Sequence, residues 1–533
     1  MVKKLLLTLK HLLHCLSKSA VRLSITIALY TVFFGQAYSQ WDERTAKEFF
    51  KRTNYLMAIE EYKNGLKIDP NKFDYNFKIG ICYLRTNVDK KAAVHHLQKA
   101  YDNPKSNAEL TYFLGKAYML NLEFDSAKLY LDQYLEKPGK YLVEAALLRA
   151  NCDQAIEIMK NPINISFENM GKRINGEYPD YNPFVTKDER VFLFTSRRET
   201  GKGNIEFDGY YPSDIYEVRF NGRNFSGAKN IGSVNTSLDE EIVGILDDGS
   251  KMFVYLDHNL GRKDDPYGDI YMSTKKGSAW QRRRLIEEGV NTSHMEISCS
   301  QSADGETLIF SSNRPGGKGG YDIYMTRKLP NGEWGNTQNV ESLNTAGNEE
   351  YPSLAPDGKT LYFSSNGHYG MGGMDLYKVI WNPEDNTWGD PENLGYPLNT
   401  PDDENTICFP ADYKHAYVSA CREGGFGDLD IYRITFNDVL LNPALFQTTI
   451  VDELSSKKIM TGQITVFNDQ YDRIGVFKPN KNNGVFTITL DPGTYSVDIE
   501  MVGYPIKNIS WTVSEFDYKE ELIKKTIKIP MSQ

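Results

Sequence analysis

The sequence has few of the side chains on which most enzymes and metal proteins depend. Its 533 residues include only 8 His and 6 Cys. It contains no Cys-x-x-Cys pair, Gly-x-Ser-x-Gly, His-Glu-x-x-His or phosphate-binding loop, so the usual signatures of metal, hydrolase and nucleotide sites are missing. The sequence therefore predicts a protein that is not an enzyme, with no catalytic, cofactor-binding or metal-binding residues and no cofactor.

Cysteine is too scarce for a fold built on disulfides. Five cysteines follow residue 39, and they show no dense spacing pattern. Cys408 and Cys421 flank a predicted hairpin. They could pair in an oxidising compartment or stay separate as buried thiols, and the sequence leaves both alternatives open.

The N-terminus combines positive charge with a long apolar run, and no later apolar run approaches its length. Five cations, the apolar stretch Leu23–Gly35 and the small residues around Ala37-Tyr38-Ser39 predict a cleaved export signal over residues 1–39. The apolar stretch is shorter than the ~20 residues of a membrane-spanning helix. Removing the signal leaves 56 Lys and Arg against 71 Asp and Glu, a net charge of −15. This charge disfavours binding to nucleic acid or to anionic lipid through a general positive field. Because no later apolar run approaches a membrane-spanning length, we expect the exported chain to be soluble or peripherally attached.

Residues 40–160 carry a repeat with helical period. Pro70, Pro104 and Pro138 are spaced 34 residues apart. Three alanines keep the same period, and each is followed four residues later by a large apolar residue. These alanines are Ala58, Ala93 and Ala127. The pattern resembles the tetratricopeptide repeat, which implies an all-α solenoid with a protein-binding groove. The stretch 141–159 reads as a capping helical pair.

Residues 161–438 carry a longer repeat with strand period. An Asp-Ile-Tyr or Asp-Leu-Tyr strand recurs five times, at intervals of 53 to 55 residues, beginning at Asp214, Asp269, Asp322, Asp375 and Asp430. Each unit reads as four short strands, which predicts a five-bladed β-propeller, with six blades as an alternative. The phase of the repeat predicts that residues 163–169 complete the last blade beside residues 428–436.

A glycine-rich segment precedes the Asp of several units. In "SSNRPGGKGGYDIYMT", residues 311–326, the glycines are followed by a strand. A phosphate cradle opens a helix instead. We therefore interpret the glycines as turn residues between the second and third strands of a blade. The acidic residues Asp264-Asp265 and 402–404 lack the spaced ligands of a calcium loop.

Residues 439–533 depart from both repeats. Strands of alternating pattern surround Asp491-Pro-Gly-Thr-Tyr495 and a closing Gly503-Tyr504. This predicts a small β-sandwich and resembles the carboxypeptidase regulatory-like domain. Such domains are usually non-catalytic spacers or docking units.

The order of these segments is informative as a whole. A signal, tetratricopeptide-like repeats, a propeller similar to the TolB type and a regulatory-like sandwich together resemble PorE-type periplasmic proteins of the type IX secretion apparatus. The resemblance implies a non-enzymatic scaffold that binds envelope proteins through the helical groove and a propeller face. The sequence departs from this family at two points that put direct peptidoglycan binding and a lipid anchor in doubt: it shows no OmpA-like domain, and Gln40 occupies the position after the cleavage site, where the family often has a cysteine. The alternative is a propeller hydrolase, or a module that binds glycan or peptide.

Overall fold

The computed structural model describes most of the chain beyond residue 40. The described ranges are 41–103, 107–200, 203–220, 224–257, 268–286, 289–439, 443–514 and 522–531. The predicted export signal lies outside them. By compactness the chain divides into two units: residues up to Ala117 with Phe207–Gly209, and Tyr118–Glu206 with Tyr210–Gln533. No helix within the described ranges has both the length and the apolar character needed to cross a membrane.

Seven helices precede the first strand in the described part of the chain. They are α1 (Glu43–Lys51), α2 (Tyr55–Leu66), α3 (Phe73–Leu84), α4 (Ala92–Tyr101), α5 (Ala108–Leu120), α6 (Phe124–Glu136) and α7 (Leu142–Met159).

Small residues let consecutive helices pack closely. The alanines that carry the sequence period are fully buried. Gly80 of α3 lies so close to Leu97 of α4 that a Cβ atom would overlap the leucine side chain. The prediction of a capping helical pair over residues 141–159 is wrong, because α7 is one helix of 18 residues. No Pro or Gly interrupts that stretch, so nothing in it ends the helix early.

The strands that follow form five antiparallel sheets, which are the blades of a β-propeller. Blade 1 contains β2 (Asp180–Val185), β3 (Val191–Ser196), β4 (Asp214–Arg219) and β5 (Lys229–Asn230). Blade 2 contains β6 (Asp239–Ile245), β7 (Lys251–Asp257), β8 (Gly268–Lys276), β9 (Ala279–Trp280) and β10 (Arg284–Leu285). Blade 3 contains β11 (Glu296–Gln301), β12 (Thr307–Ser312), β13 (Asp322–Arg327) and β14 (Gln338–Asn339). Blade 4 contains β15 (Glu349–Leu354), β16 (Thr360–Ser365), β17 (Asp375–Asn382), β18 (Thr387–Trp388) and β19 (Glu392–Asn393). Blade 5 contains β20 (Ile407–Cys408), β21 (His415–Ala420), β22 (Asp430–Phe436) and β1 (Ile165–Asn169).

The ring closes as the phase of the repeat predicts. Strand β1, which precedes blade 1 in the chain, pairs antiparallel with β22, with Ile165 opposite Phe436 and Asn169 opposite Tyr432. Apolar clusters fill the seams between neighbouring blades, including the seam between blades 5 and 1. Closing the ring in this way pairs the third strand of blade 5, which would otherwise be an open edge.

The C-terminal sandwich consists of two sheets. Its strands are β23 (Ala444–Asp452), β24 (Gly462–Phe467), β25 (Arg473–Phe477), β26 (Val485–Leu490), β27 (Gly493–Met501), β28 (Lys507–Val513) and β29 (Ile523–Ile529). The sheet orders are β26-β23-β29 and β25-β24-β27-β28, so the Pro-Gly turn after β26 crosses from one sheet to the other. The last strand, β29, pairs parallel with β23. Phe446 and Trp511 meet in the core between the sheets.

Candidate functional site

An asparagine joins the fourth strand of each blade to the third, and in four of the five blades it is buried. In blade 3, Asn344 accepts a hydrogen bond from the Ile323 amide at 2.7 Å and donates one to the Ile323 carbonyl at 2.9 Å. The same reciprocal pair recurs at the central residue of every Asp-Ile-Tyr strand. The other asparagines are Asn175, Asn235, Asn291 and Asn399. The asparagine therefore has the same structural role in all five blades.

A buried acid opens the innermost strand of each blade. Glu349 accepts hydrogen bonds from the amide and hydroxyl of Thr345, at 2.8 and 2.6 Å, and from Ser365 at 2.7 Å. Burial raises the pKa of this carboxyl. Equivalent acids are Asp180, Glu240, Glu296 and Glu404. These carboxylates are satisfied within the fold and are not available to a ligand.

The glycine-rich hairpins are structural, as the sequence predicts. The Asp322 carboxylate accepts a hydrogen bond from the Lys318 amide at 2.9 Å, and Asp375 accepts one from Met371 at 2.6 Å. Each hairpin lies directly against the loop that enters the next blade, and a Cβ on Gly319 would overlap the carbonyl oxygen of Gly347. Glycine is required here because two backbones approach closely.

The innermost strands bring one partly exposed side chain per blade to the propeller axis. These side chains occupy the position after the buried acid, and we call them the axial ring. The axial ring consists of Tyr181, Glu241, Ile297, Glu350 and Asn405. All five positions are partly exposed, yet they carry four different residue types. The repeat thus conserves the position and varies the chemistry.

Contacts between blades bring three of these side chains, Tyr181, Glu241 and Glu350, close to the axis. The Tyr181 hydroxyl donates a hydrogen bond of 2.8 Å to Glu241 in the neighbouring blade. Tyr351 of blade 4 interacts electrostatically with both Glu241 and Glu350, although blades 2 and 4 do not adjoin. Asn182 and Tyr351 adopt positive φ angles of 50° and 49°. A tyrosine is rarely found in this conformation, so the backbone of blade 4 is strained at the axis.

The two glutamates of the ring ionise near neutrality. Burial raises the pKa of Glu241 to about 7, although the hydrogen bond from Tyr181 partly offsets it. Burial also raises the pKa of Glu350 to about 7, and the nearby charges of Asp403 and Glu349 add to the effect. Both carboxyls can therefore donate or accept a proton, or hydrogen bond to a ligand, near pH 7.

The axis also holds a small enclosed cavity, of about 20 Å³, lined by residues from all five innermost strands. The lining includes Val185, Asp247, Ser300, Ala355 and Cys408. A cavity of this size holds roughly one water molecule and no larger ligand.

A second polar group lies at the seam between blades 5 and 1. We call Glu189, Asp412 and His415 the seam cluster. His415 Nδ1 lies 2.7 Å from Asp412 Oδ2, and the Tyr417 hydroxyl donates a 2.9 Å hydrogen bond to Glu189. One ligand atom from each of the three residues lies within 4.8 Å of the others, and within the described ranges this is the group with the composition of a metal site.

The remaining residues singled out in the sequence have structural surroundings. His96 is partly buried against Asn76 and Tyr83, and this burial lowers its pKa to about 4. Cys408 lies buried with its thiol 3.3 Å from the Val185 amide, whereas Cys421 is exposed, and no disulfide joins them. Asp403 accepts a hydrogen bond from the Met374 amide at 2.9 Å. His258 and Asp264-Asp265 lie outside the described residues.

Sequence reasoning missed both the axial ring and the seam cluster. In the sequence, the axial ring is marked by a position whose residue changes from blade to blade, and the seam cluster is marked by departures from residues that blades 3 and 4 share. Glu189, for example, stands where Gly249, Gly305 and Gly358 stand in blades 2 to 4. Comparing the units position by position would have selected these residues.

Comparisons with known proteins give structural likeness alone. No protein-family profile matches the sequence, and no curated protein matches it. A putative TolB from Agrobacterium tumefaciens is 14% identical, with a TM-score of 0.31, over 61% of this chain and 97% of that one. An endo-arabinase from Bacteroides thetaiotaomicron is 14% identical, with a TM-score of 0.32, over 48% and 93%. A thermostable family-43 glycoside hydrolase is 12% identical, with a TM-score of 0.32, over 51% and 94%.

These likenesses are too low to assign a function or a family. The order and closure of the five sheets establish the propeller independently of them.

Proposed function

We propose that the protein is a non-enzymatic scaffold of the cell envelope that binds a partner protein at the axial ring. The proposal rests on a contrast between two sets of positions in the repeat, those whose side chains bond within the fold and those of the axial ring. The buried Asn, Thr and acidic side chains are used within the fold in the same way in successive blades, whereas the axial ring presents varied, partly exposed side chains at one place. Partner recognition requires surface chemistry of this kind, because its specificity comes from a few central residues.

The two other segments suit the same function. The helical period and the close packing of Gly80 against Leu97 support a tetratricopeptide-like solenoid, which would offer a second binding surface. The C-terminal sandwich would act as a spacer or docking unit of the carboxypeptidase regulatory-like type. We place the protein in the periplasm, in peripheral association with the outer membrane, with subunits of a type IX-like secretion apparatus as its partners.

A pull-down from envelope extracts tests the proposal. Asn405→Arg introduces a long charged side chain into the axial ring at a polar, partly exposed position. Leu285→Arg makes the same kind of change on the outermost strand of blade 2, where the leucine is already 52% exposed. We expect wild type and Leu285→Arg to recover secretion-apparatus subunits and Asn405→Arg to recover at least about tenfold less. Equal recovery by both variants, or no recovery by folded wild type, would contradict the proposal.

A glycan hydrolase is the second candidate, and the pKa values of Glu241 and Glu350 favour it. Two carboxyls that ionise near neutrality are what general acid–base hydrolysis of a glycosidic bond uses. Release of reducing sugar from envelope polysaccharide by wild type, and its loss in both Glu241→Gln and Glu350→Gln, would establish this activity. The scaffold proposal predicts no release by any of the three proteins.

A further inference from the structure

The seam cluster lies where the propeller ring closes. Glu189 belongs to the turn between β2 and β3 of blade 1, and Asp412 and His415 belong to the corresponding turn of blade 5. The two turns are joined by a backbone hydrogen bond of 3.0 Å from the Ala411 amide to the Lys187 carbonyl. A group bound by both turns would therefore link the first blade to the last.

Two members of the cluster depart from the repeat. Glu189 has a φ of 56° at a position where blades 2, 3 and 4 have glycines with φ of 67°, 77° and 67°. His415 stands where blades 3 and 4 have Thr307 and Thr360. A left-handed conformation costs glutamate energy that glycine does not lose, so folding alone favours glycine at this turn. Blade 5 also has a residue other than glycine here, Tyr413, with a φ of 52°, and its hydroxyl accepts a hydrogen bond from the Asp357 amide of blade 4. In both blades the side chain at this position reaches across the seam to the preceding blade, and at Glu189 it brings a carboxylate to that seam.

The cluster is also fully enclosed. Glu189 is 0% exposed, and the side chains of Asp412 and His415 are 0% and 1% exposed. Arg433, the cross-strand neighbour of Tyr417, is 8% exposed and brings one positive charge to this region. Two carboxylates and one imidazole are thus enclosed together at the seam. Buried carboxylates are found either paired or coordinating a metal ion.

We propose that the seam cluster binds a divalent transition-metal ion of the zinc class, which fastens blade 5 to blade 1. The ligands are one carboxylate oxygen each from Glu189 and Asp412 and one imidazole nitrogen from His415. A mixed set of imidazole and carboxylates suits Zn²⁺, whereas Ca²⁺ and Mg²⁺ take oxygen ligands. Zinc ligands at ~2.0–2.2 Å from the ion lie roughly 3–4 Å apart. Small side-chain rotations suffice to reach this spacing, because the three ligand atoms already lie within 4.8 Å of one another. The Tyr417 hydroxyl, which bonds Glu189, orients that ligand from outside the site.

Metal content and zinc titration test this proposal. The protein is purified without a polyhistidine tag or chelator, and its metals are measured by inductively coupled plasma mass spectrometry. We expect about one zinc-class ion per chain in wild type. The same protein, stripped with a chelator, is then titrated with ZnCl₂ against a chromophoric competitor, and its melting temperature is recorded. Added zinc should raise the melting temperature of wild type, because the ion binds the folded state.

Two variants remove ligands by restoring the residue found in other blades. Glu189→Gly recreates the glycine turn, and His415→Thr recreates the threonine of blades 3 and 4, so both should fold. Each should weaken zinc binding by about 100-fold or more. Thr360→His places an Asp-x-x-His pair in blade 4, where the next blade has Tyr413 in the position of Glu189 and supplies no carboxylate, and this control should gain no second ion.

The outcomes separate clearly. Metal in wild type that is lost in Glu189→Gly and His415→Thr supports the site. Wild type with no bound metal and no zinc-dependent melting shift would show that the cluster is an ion-pair network, and retention of zinc by Glu189→Gly would place the ion elsewhere. Either result overturns the proposal.

Discussion

At the scale of single residues, polar side chains at equivalent positions make equivalent hydrogen bonds in all five blades. An asparagine in each blade makes two hydrogen bonds to the backbone of the third strand, as Asn344 does with Ile323. In blades 1 to 4, where the fourth strand has only two residues, this side chain replaces ladder bonds that the strand cannot supply. Each of these residues is therefore important for stability, and neither bond is available for binding.

The two hydrogen bonds between Asn344 and the backbone of Ile323 give a direct prediction. Asn344→Ala leaves the amide and carbonyl of Ile323 without their buried partners, so we expect a loss of about 1–3 kcal/mol in stability. Asn331→Ala, at an exposed turn of the same blade, should change stability by less than ~0.5 kcal/mol. Thermal or urea unfolding of the two variants measures the difference. Identical unfolding curves would show that the buried pair contributes nothing.

The axial glutamates predict a pH dependence. Their pKa values rise from an ordinary 4.5 to about 7 on folding. Between these values the folded protein holds more protons than the unfolded chain, so stability falls as pH rises through this window. We expect the melting temperature of wild type to fall more between pH ~5 and pH ~8 than that of the Glu241→Gln/Glu350→Gln double variant. Glu384→Gln, at an exposed turn, serves as the control, and parallel curves for wild type and double variant would contradict the prediction.

At the scale of elements, the glycine hairpins and the loops beside them set the spacing of the blades. The hairpin backbone at Gly319 lies against the carbonyls of Thr345 and Gly347, and the hairpin of blade 5 lies against Gly176 in the same way. These contacts join the second and third strands of one blade to the entry of the next. The glycines therefore fix the geometry around the axis without contacting a ligand.

Alanine substitution of two glycines tests whether the hairpin glycines are needed because two backbones approach closely, or only because they make the turn flexible. Gly319→Ala forces the hairpin away from two carbonyl oxygens, and we expect a loss of about 1–3 kcal/mol. Gly227→Ala adds its methyl group in open space, without positive φ, and should not lower the melting temperature. Equal effects of the two substitutions, measured by thermal unfolding, would contradict this account.

The repeat period of the sequence predicted the secondary-structure elements better than it predicted which distant strands pair with one another. The spacing of Asp-Ile-Tyr strands placed the five blades, the hairpins and the closing strand near residues 163–169, because each depends on a local pattern repeated many times. The parallel pairing of β29 with β23 and the crossing after β26 depend on how distant strands pack, which no local pattern encodes. The seam cluster likewise joins residues 223 or more positions apart, so its proximity appears only in the folded chain.

At the scale of the whole propeller, ring closure is the feature on which the rest depends. Strand β1 pairs with β22 over five residues, although more than 260 residues separate them in sequence. The axial ring and the seam cluster both require this closure, because each combines residues of blade 1 with residues of later blades. Opening the ring should therefore disrupt both sites together.

An engineered disulfide tests the register of closure. Ser166 lies directly opposite Thr435, and Cα atoms of directly opposite antiparallel residues are ~4.5–5.5 Å apart, within disulfide range. Ser166→Cys/Thr435→Cys should cross-link under oxidation and raise the melting temperature. Ser166→Cys/Phe436→Cys, offset by one residue so that the side chains point to opposite faces, should not. Peptide mass spectrometry identifies the bond, and cross-linking in the offset pair alone would refute the register.

Site-specific photo-cross-linking tests the central claim most directly. A photoreactive residue is placed at Asn405 in the axial ring, or at Lys359 in an exposed turn between strands of blade 4, and whole cells are irradiated. The account predicts discrete adducts with envelope proteins from position 405 and none from position 359. Adducts from position 359 alone, or from neither position when the protein is folded and exported, would contradict partner binding at the propeller axis.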